Sequence, residues 1–275
     1  MAGCRCTGSF MAISAIDMYY PIQIPYILSR EFSQNVQYAE ETIPQLSGFV
    51  ICFWEMRPRS ARKTSIENII IADGCIDLVA SLDERQVGFV GMRNTDFHFK
   101  VDLPAHFMGA RLKPGAFFQL TGLPATAAMD CFVPVEAACA GFDRDRFFSL
   151  PFEQAKAYFI SFFQTLTCGR APSRFTSLFD ELSLGVVPTA AELYQLLHFT
   201  PRQCQRLFLK HYGLPPKVVQ SIVRFHKCLA VLTANGATLG DGLSSAGYYD
   251  QAHFIKDFKK NIGITPRELI RIYQN

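Results

Sequence analysis

Apolar residues change their spacing along this 275-residue chain, and the change divides it. From Pro44 to about Val133 they come in short runs broken by turn residues such as Asp73-Gly74 and Leu103-Pro104. Gly48–Met56, Ser65–Ala72, Cys75–Ser81, Gln86–Gly91, Phe97–Val101 and His106–Leu112 each have strand length and are rich in Val, Ile and Phe. Several short strands at this spacing predict a small antiparallel barrel or sandwich. Lys113-Pro114-Gly115 then predicts a turn into a short helix over Ala116–Leu120. From Phe142 to Thr167 the period becomes helical, with Phe152, Ala155, Phe159, Phe162, Phe163 and Leu166 on one broad face. Packing on the β-rich region is the simplest use of that face. A contact between two copies is the alternative, because an uncovered face would expose a large apolar patch. Cys168–Ser173 (CGRAPS) reads as the boundary, and Phe175–Leu184 as the first helix beyond it.

The second half carries an internal repeat, the first thing to seek in a helical region. Phe208, Gly213 and Pro216 precede Phe258, Gly263 and Pro266 by 50 residues each, and RLFLKHYGLPP answers KDFKKNIGITP. Thr200 and Asp250 are good helix N-caps at the same offset. Thr200-Pro201-Arg202-Gln203 is a start signal, with a hydroxyl cap, Pro where its missing N–H costs nothing, and Gln three residues on. Cys204, Leu207, Phe208 and His211 form a mostly apolar stripe, while Arg202, Gln205, Arg206 and Leu209 occupy the opposite rows. In the second copy Phe254 and Phe258 face inward, and Ala252, Ile255, Lys256 and Lys259 share an outer row. A helix anchored by aromatics and showing Arg, Gln and Lys suits a major groove, where Arg and Lys pair with guanine edges and Gln with adenine. A solvated face of an ordinary helix is the alternative for one such helix; a repeat of two, each behind a short helix and turn, favours DNA.

On these residues the chain from about Pro188 to Tyr273 resembles the paired helix-turn-helix domain of the AraC/XylS transcription regulators, most closely in GYYDQAHFIKDF followed by GITPREL. The resemblance implies two recognition helices in successive major grooves, joined by a long helix. Pro216–Leu232 fits the joining helix, and Asn235-Gly236 its stop. Some positions depart from the family. Tyr194 stands where a small residue is usual, and His198 makes a turn usually made by Gly. Gly240 and Gly242 replace residues that favour a helix, each at up to about 1 kcal/mol, so a soft helix is expected there.

The first half resembles, less specifically, a sensor-like domain of unknown function that precedes AraC-type domains in many bacterial regulators. Asp73–Leu78 and Gly109–Phe117 carry that resemblance, with FWEM and a VPVEAA segment in the same order. The resemblance implies no ligand. Asp73-Gly74 is a turn signal and Gly115 supports a strand-to-helix turn. Arg111 lies on an otherwise apolar strand, and a buried guanidinium needs a carboxylate or an anionic ligand. Asp77 is the natural partner; a ligand contact through Arg111 and Asp77 is the alternative.

Composition sharpens this division. The net charge is only +3, yet from Val186 onward 11 Lys and Arg face 5 Asp and Glu, against 16 and 19 before it. A basic domain behind a slightly acidic one is expected of a sensor joined to a DNA-binding module. No run of 18 apolar residues exists, so no membrane span is expected. Residues 1–17 read as a loose extension without a signal pattern. Nine scattered cysteines fit a reducing cytoplasm with thiols as small core residues. A redox switch through Cys52, Cys75, Cys131 or Cys139 lacks a low-pKa setting. Catalysis finds little support: His98 and His106 are too few for a metal, Cys4-x-Cys6 is unanchored, and no nucleophile elbow or phosphate loop occurs.

The expected protein is therefore α+β, with an N-terminal small antiparallel β barrel or sandwich with helices and a C-terminal all-α domain with two helix-turn-helix units. Its expected divisions are an extension over 1–43, a β-rich sensor or dimerisation-like domain with a helical tail over 44–168, and a DNA-binding domain over 174–275. It is expected to be a cytoplasmic transcription regulator and not an enzyme, without cofactor or metal. Arg202, Gln205 and Arg206 would read one groove, and Gln251, His253 and Lys256 the next. Lys210, Lys217 and Lys259 would meet phosphates. The partner is double-stranded DNA, with a small-molecule effector, RNA polymerase and a second copy of the chain as further candidates. The alternative is a ligand-binding or protein-interaction module with weak DNA binding.

Overall fold

The computed structural model describes residues 21, 30–91, 97–234, 237–245, 247–248 and 250–274. The expected loose start, the Cys4-x-Cys6 pair, the Asn235-Gly236 stop and the side chain of His98 lie outside the described residues.

Among its described residues the first half has helix α1 (Arg30–Asn35) followed by eight strands: β1 (Val36–Glu41), β2 (Val50–Pro58), β3 (Thr64–Ile70), β4 (Ile76–Ser81), β5 (Gln86–Gly91), β6 (Phe97–Leu103), β7 (Phe107–Leu112) and β8 (Phe132–Pro134). The six expected strands are present, with no end displaced by more than two residues. They form an antiparallel sheet in the order β1-β2-β7-β4-β5-β8 and a separate β3-β6 ribbon. The sheet is open, ending at β1 and β8. The ribbon makes a second layer near the β1 end, where Ile66, Val101 and Leu103 meet Phe32, Val36 and Met56. Strand β1 lies within the stretch expected to be an extension. Its sequence VQYAEE buries only Val36, so it lacks the alternation that marks a half-buried strand.

Helices α2 (Ala116–Thr121), α3 (Val135–Ala138), α4 (Arg144–Ser149) and α5 (Phe152–Thr167) complete this half. The phenylalanine face of α5 covers the sheet: Phe159 and Phe163 meet Phe53 edge-on, with ring centres 6.4 and 5.8 Å apart. That packing removes the apolar face from water, and the contact between copies is not needed to cover it.

The second half contains α6 (Arg174–Leu184), α7 (Ala190–Leu197), α8 (Pro201–Tyr212), α9 (Pro216–Leu232), α10 (Leu239–Ser245), α11 (Gln251–Ile262) and α12 (Pro266–Gln274). Helix α9 has the span expected of the joining helix. Local chemistry fixes the helix starts. Thr189 with Glu192 and Thr200 with Gln203 make reciprocal capping boxes, and Thr238 with Asp241 and Thr265 with Glu268 exchange the same pair of hydrogen bonds. Helices α8 and α11 both end on a left-handed glycine, Gly213 at φ 72° and Gly263 at φ 79°, a conformation a side chain would strain. His198 does adopt the left-handed turn, at φ 57°.

Gly242 has a packing role that helix propensity does not reveal. A Cβ there would lie 2.7 Å from Leu232, and the Gly242 carbonyl accepts the Cys228 thiol at 3.2 Å. The residue lets α10 sit close to α9. Gly240 meets nothing nearer than Thr238 Oγ1 at 3.6 Å.

The two halves share a core. Ile51, Cys52, Ala72 and Cys75 of the β-rich half are buried with Leu178, Phe179, Cys204, Phe208, Tyr212 and Val219. Lys113, only 5% exposed, donates to Asp180 on α6 at 2.6 Å. The end of α8 also meets the first half, where His211 lies edge-on to Phe118 and Gly213 abuts Met129.

Candidate nucleic-acid interface

Two faces of the helical half present the expected polar residues. On α8, Cys204, Phe208, His211 and Tyr212 are buried, and Arg202, Gln205 and Arg206 are exposed on the other side. On α11, Phe254, Phe258, Asn261 and Ile262 are buried, and Gln251, His253, Lys256 and Lys259 are exposed. Lys217, at the start of α9, is exposed as well. Each helix thus turns aromatics inward and hydrogen-bond donors outward, the division a groove-reading helix requires. Gln203 is committed to its cap, its Oε1 accepting from the Thr200 N–H at 3.0 Å.

Lys210 has a different setting from its neighbours. Its ammonium lies 4.3 Å from the centre of the Phe118 ring on α2, a cation–π contact with the first half. Beside it, burial and the Lys210 charge push His211 down to about 4, and the ring stacks on Phe175 with centres 3.9 Å apart. His211 is therefore a neutral aromatic spacer rather than a phosphate ligand.

Helix α11 is tied to α9 through Asp257. Its carboxylate accepts from Ser221 Oγ on α9 at 3.0 and 3.2 Å and from the Tyr248 hydroxyl. Arg224 lies over the Tyr248 ring at 5.8 Å. Asp257 carried no signal in the sequence, because its partners are set by how α9 and α11 cross.

Arg111 and Asp77 meet inside the β-rich half. They are register partners on β7 and β4, with Arg111 Nε 3.6 Å from Asp77 Oδ2. Asp73 Oδ2 lies at the same distance, and Glu40 accepts from Arg111 Nη1 at 3.2 Å. Asp73 does make the expected turn, accepting the Cys75 N–H at 2.8 Å, and faces Arg111 with its other oxygen. Trp54 Nε1 donates to Asp77 at 2.8 Å. Burial pushes the Asp77 carboxyl up to about 7, against the pull of Arg111. Glu40 and Asp73 were not legible as partners, since β1 lacked a strand signal and Asp73 had a sufficient role as a turn residue. Arg111 does not line the adjacent cleft of about 190 Å³, which is formed by residues including Glu40, Trp54, Gly109, Phe152 and Lys156.

Other candidate chemistry has bland settings. His106 bonds Glu55 at 2.8 Å and packs on Phe152. Burial holds the Cys75 thiol well above its usual range and pushes Cys139 to about 11, which keeps both protonated at neutral pH. Among the described residues no group of three His, Cys, Asp or Glu is placed to hold a metal, and no helix is long and apolar enough to cross a membrane.

Two known domains match the chain. A domain of unknown function, DUF6597, matches residues 42–134, and a helix-turn-helix domain matches residues 193–272. No curated protein matches by sequence. Among solved structures, ToxT from Vibrio cholerae at 1.65 Å is 10% identical, covering 88% of this chain and 100% of that chain at a TM-score of 0.39. ToxT with an unsaturated fatty acid bound is 10% identical over 86% and 94% of the two chains, at 0.39. ToxT bound to (E)-4-(8-methylnaphthalen-1-yl)but-3-enoic acid is 11% identical over 87% and 99%, at 0.38. Similarity this low assigns no ligand to the present chain. The matched residues fall within the two halves of the fold, and the chain joins a DUF6597 domain of unknown function to a helix-turn-helix domain of the AraC type.

Proposed function

We propose that the protein is a sequence-specific transcription regulator of the AraC/XylS type whose helices α8 and α11 enter two successive major grooves, one helical turn (~34 Å) apart. One observation carries this assignment: two units repeat at an offset of 50 residues, and each exposes Arg, Gln or Lys opposite a buried Phe. Arg202, Gln205 and Arg206 read bases in one groove; Gln251, His253 and Lys256 read the other. Lys217 and Lys259 meet phosphates and supply salt-dependent affinity. The β-rich half acts as the sensor, and the DNA partner implies the cytoplasm. An unidentified small molecule, RNA polymerase and a second copy of the chain are the further partners this role would use.

A second assignment, a protein-interaction module with weak DNA binding, is favoured by the Lys210–Phe118 contact, which engages the end of α8 within the chain. Selection of bound fragments from a random DNA pool, repeated with Arg206→Ala and Lys256→Ala, separates the two. Two half-elements about one turn apart, each weakened by one variant, are expected. Arg206→Ala should cost about 1–3 kcal/mol and relax one base position, whereas Lys259→Ala should weaken all sequences alike. No enrichment at any salt concentration would favour the second assignment.

A further inference from the structure

Consecutive residues of the β-rich half enter the cores of different helix-turn-helix units. Ile71 is buried with Phe225, Cys228, Leu229, Phe254 and Phe258, the core of the second unit. Ala72 and Cys75 are buried with Phe179, Leu193, Phe208 and Val219, the core of the first. Between them, the Ala72 carbonyl meets His226 Nε2 at 3.0 Å. A carbonyl only accepts, so Nε2 carries the proton, and the bond lands on the joining helix where one core gives way to the other. The segment is held from behind. Asp73 faces Arg111 at 3.6 Å and accepts the Cys75 N–H, and Gly74 leaves no room for a Cβ, which would stand 2.9 Å from Phe179.

We propose that the Ile71–Cys75 loop is a spacer that sets the orientation of the two recognition helices, and that through it the DUF6597 domain acts on DNA reading. The joining helix α9 enters both cores, with Val219 in one and Phe225 in the other, and the loop adds a second contact to each. A rigid segment reaching both cores from the β-rich half limits how far one unit can turn against the other, because packed interiors yield to neither void nor overlap. The consequence for DNA is specificity for the distance between half-elements, a property of neither helix alone. The proposal rests on the two-groove assignment for its effect on DNA, but its structural half can be tested without DNA.

The experiment measures the distance between spin labels on non-natural side chains at exposed Ala191 and Lys260, one in each unit, in the full chain without DNA. The unsubstituted protein should give one narrow distribution. Ile71→Ala and His226→Leu should each broaden or shift it, and His226→Gln, which returns a donor near Nε2, should restore it. If Ile71→Ala loses its far-ultraviolet dichroism, Ile71→Val replaces it. In DNA selection the two disrupting variants should accept several half-element spacings where the unsubstituted protein accepts one. An unchanged narrow distribution in folded Ile71 and His226 variants overturns the spacer role. Broadened distances without DNA enrichment for any form support the spacer and reject the two-groove assignment instead.

Discussion

Asp77 and Arg111 stand directly opposite each other on β4 and β7, and the guanidinium that Asp77 faces is shared with Asp73 and Glu40. One cation thus holds three carboxylates from separate segments, and its side chain is only 7% exposed. Arg111→Ala leaves those carboxylates facing one another in a dry site, so a loss of about 3–5 kcal/mol is expected in urea denaturation. Asp77→Asn should cost about 1 kcal/mol or less, because burial already disfavours the charge and the amide oxygen still accepts from Trp54. Equal losses for the two variants would show that Arg111 is not the centre of the cluster.

The shared core makes the two halves one cooperative unit. Cys52, Ala72 and Cys75 are buried among side chains of the helical half, and Lys113 pairs with Asp180 across the junction. Calorimetry should give a single transition, and a double-mutant cycle on Lys113→Ala and Asp180→Ala a coupling of about 0.5–3 kcal/mol. Two separated transitions would mean that the junction does not transmit folding.

Acid should loosen the seat of α8. Burial, then the Lys210 charge, lowers the folded His211 pKa to about 4 from 6.5, and among the described residues its Nδ1 finds no hydrogen-bond partner. The unfolded chain therefore binds the proton more readily, and stability present above pH 6.5 is lost as pH falls towards 4. Burial shifts His226 in the same direction, whereas the raised Asp77 acts oppositely from pH 7 downward. His211→Phe keeps the stacking on Phe175 and removes the proton site. Its melting temperature relative to the unsubstituted protein should rise between pH 7 and pH 5; a constant difference would exclude His211 as the group responsible.

The two glycines of α10 should respond to alanine with opposite signs. Gly240→Ala brings its methyl only into ordinary contact with Thr238 Oγ1 at 3.6 Å and should stabilise by up to about 1 kcal/mol. Gly242→Ala drives a methyl into Leu232 and should destabilise by about 1–3 kcal/mol despite the better helix propensity. Thermal melts of both variants decide the matter, and a stabilising Gly242→Ala would return the residue to its sequence-based reading as a soft spot.

Much of this protein is determined locally and was legible as such. The six runs of β-branched and aromatic residues became strands because their apolar side chains alternate or run continuously, a property of neighbours in sequence. The Thr200–Gln203 box, the Asp250 cap and the outward Arg202, Gln205, Arg206 and Lys256 likewise follow from a period of 3.6 residues and its end groups.

Contacts between distant segments arose in the folded chain, because periodicity is silent on them. Strand β1 exists because β2 offers it an edge, although VQYAEE has too few apolar residues to announce a strand. Glu40 and Asp73 became partners of Arg111 through strand register. Asp257 joined Ser221 and Tyr248 because α9 and α11 cross there, and Lys210 found Phe118 because α8 ends against α2. The polar outward faces of α8 and α11 were written in local periodicity; the placing of Ile71 in one core and Ala72 in the other came from packing, because burial is decided by whatever the whole chain brings alongside.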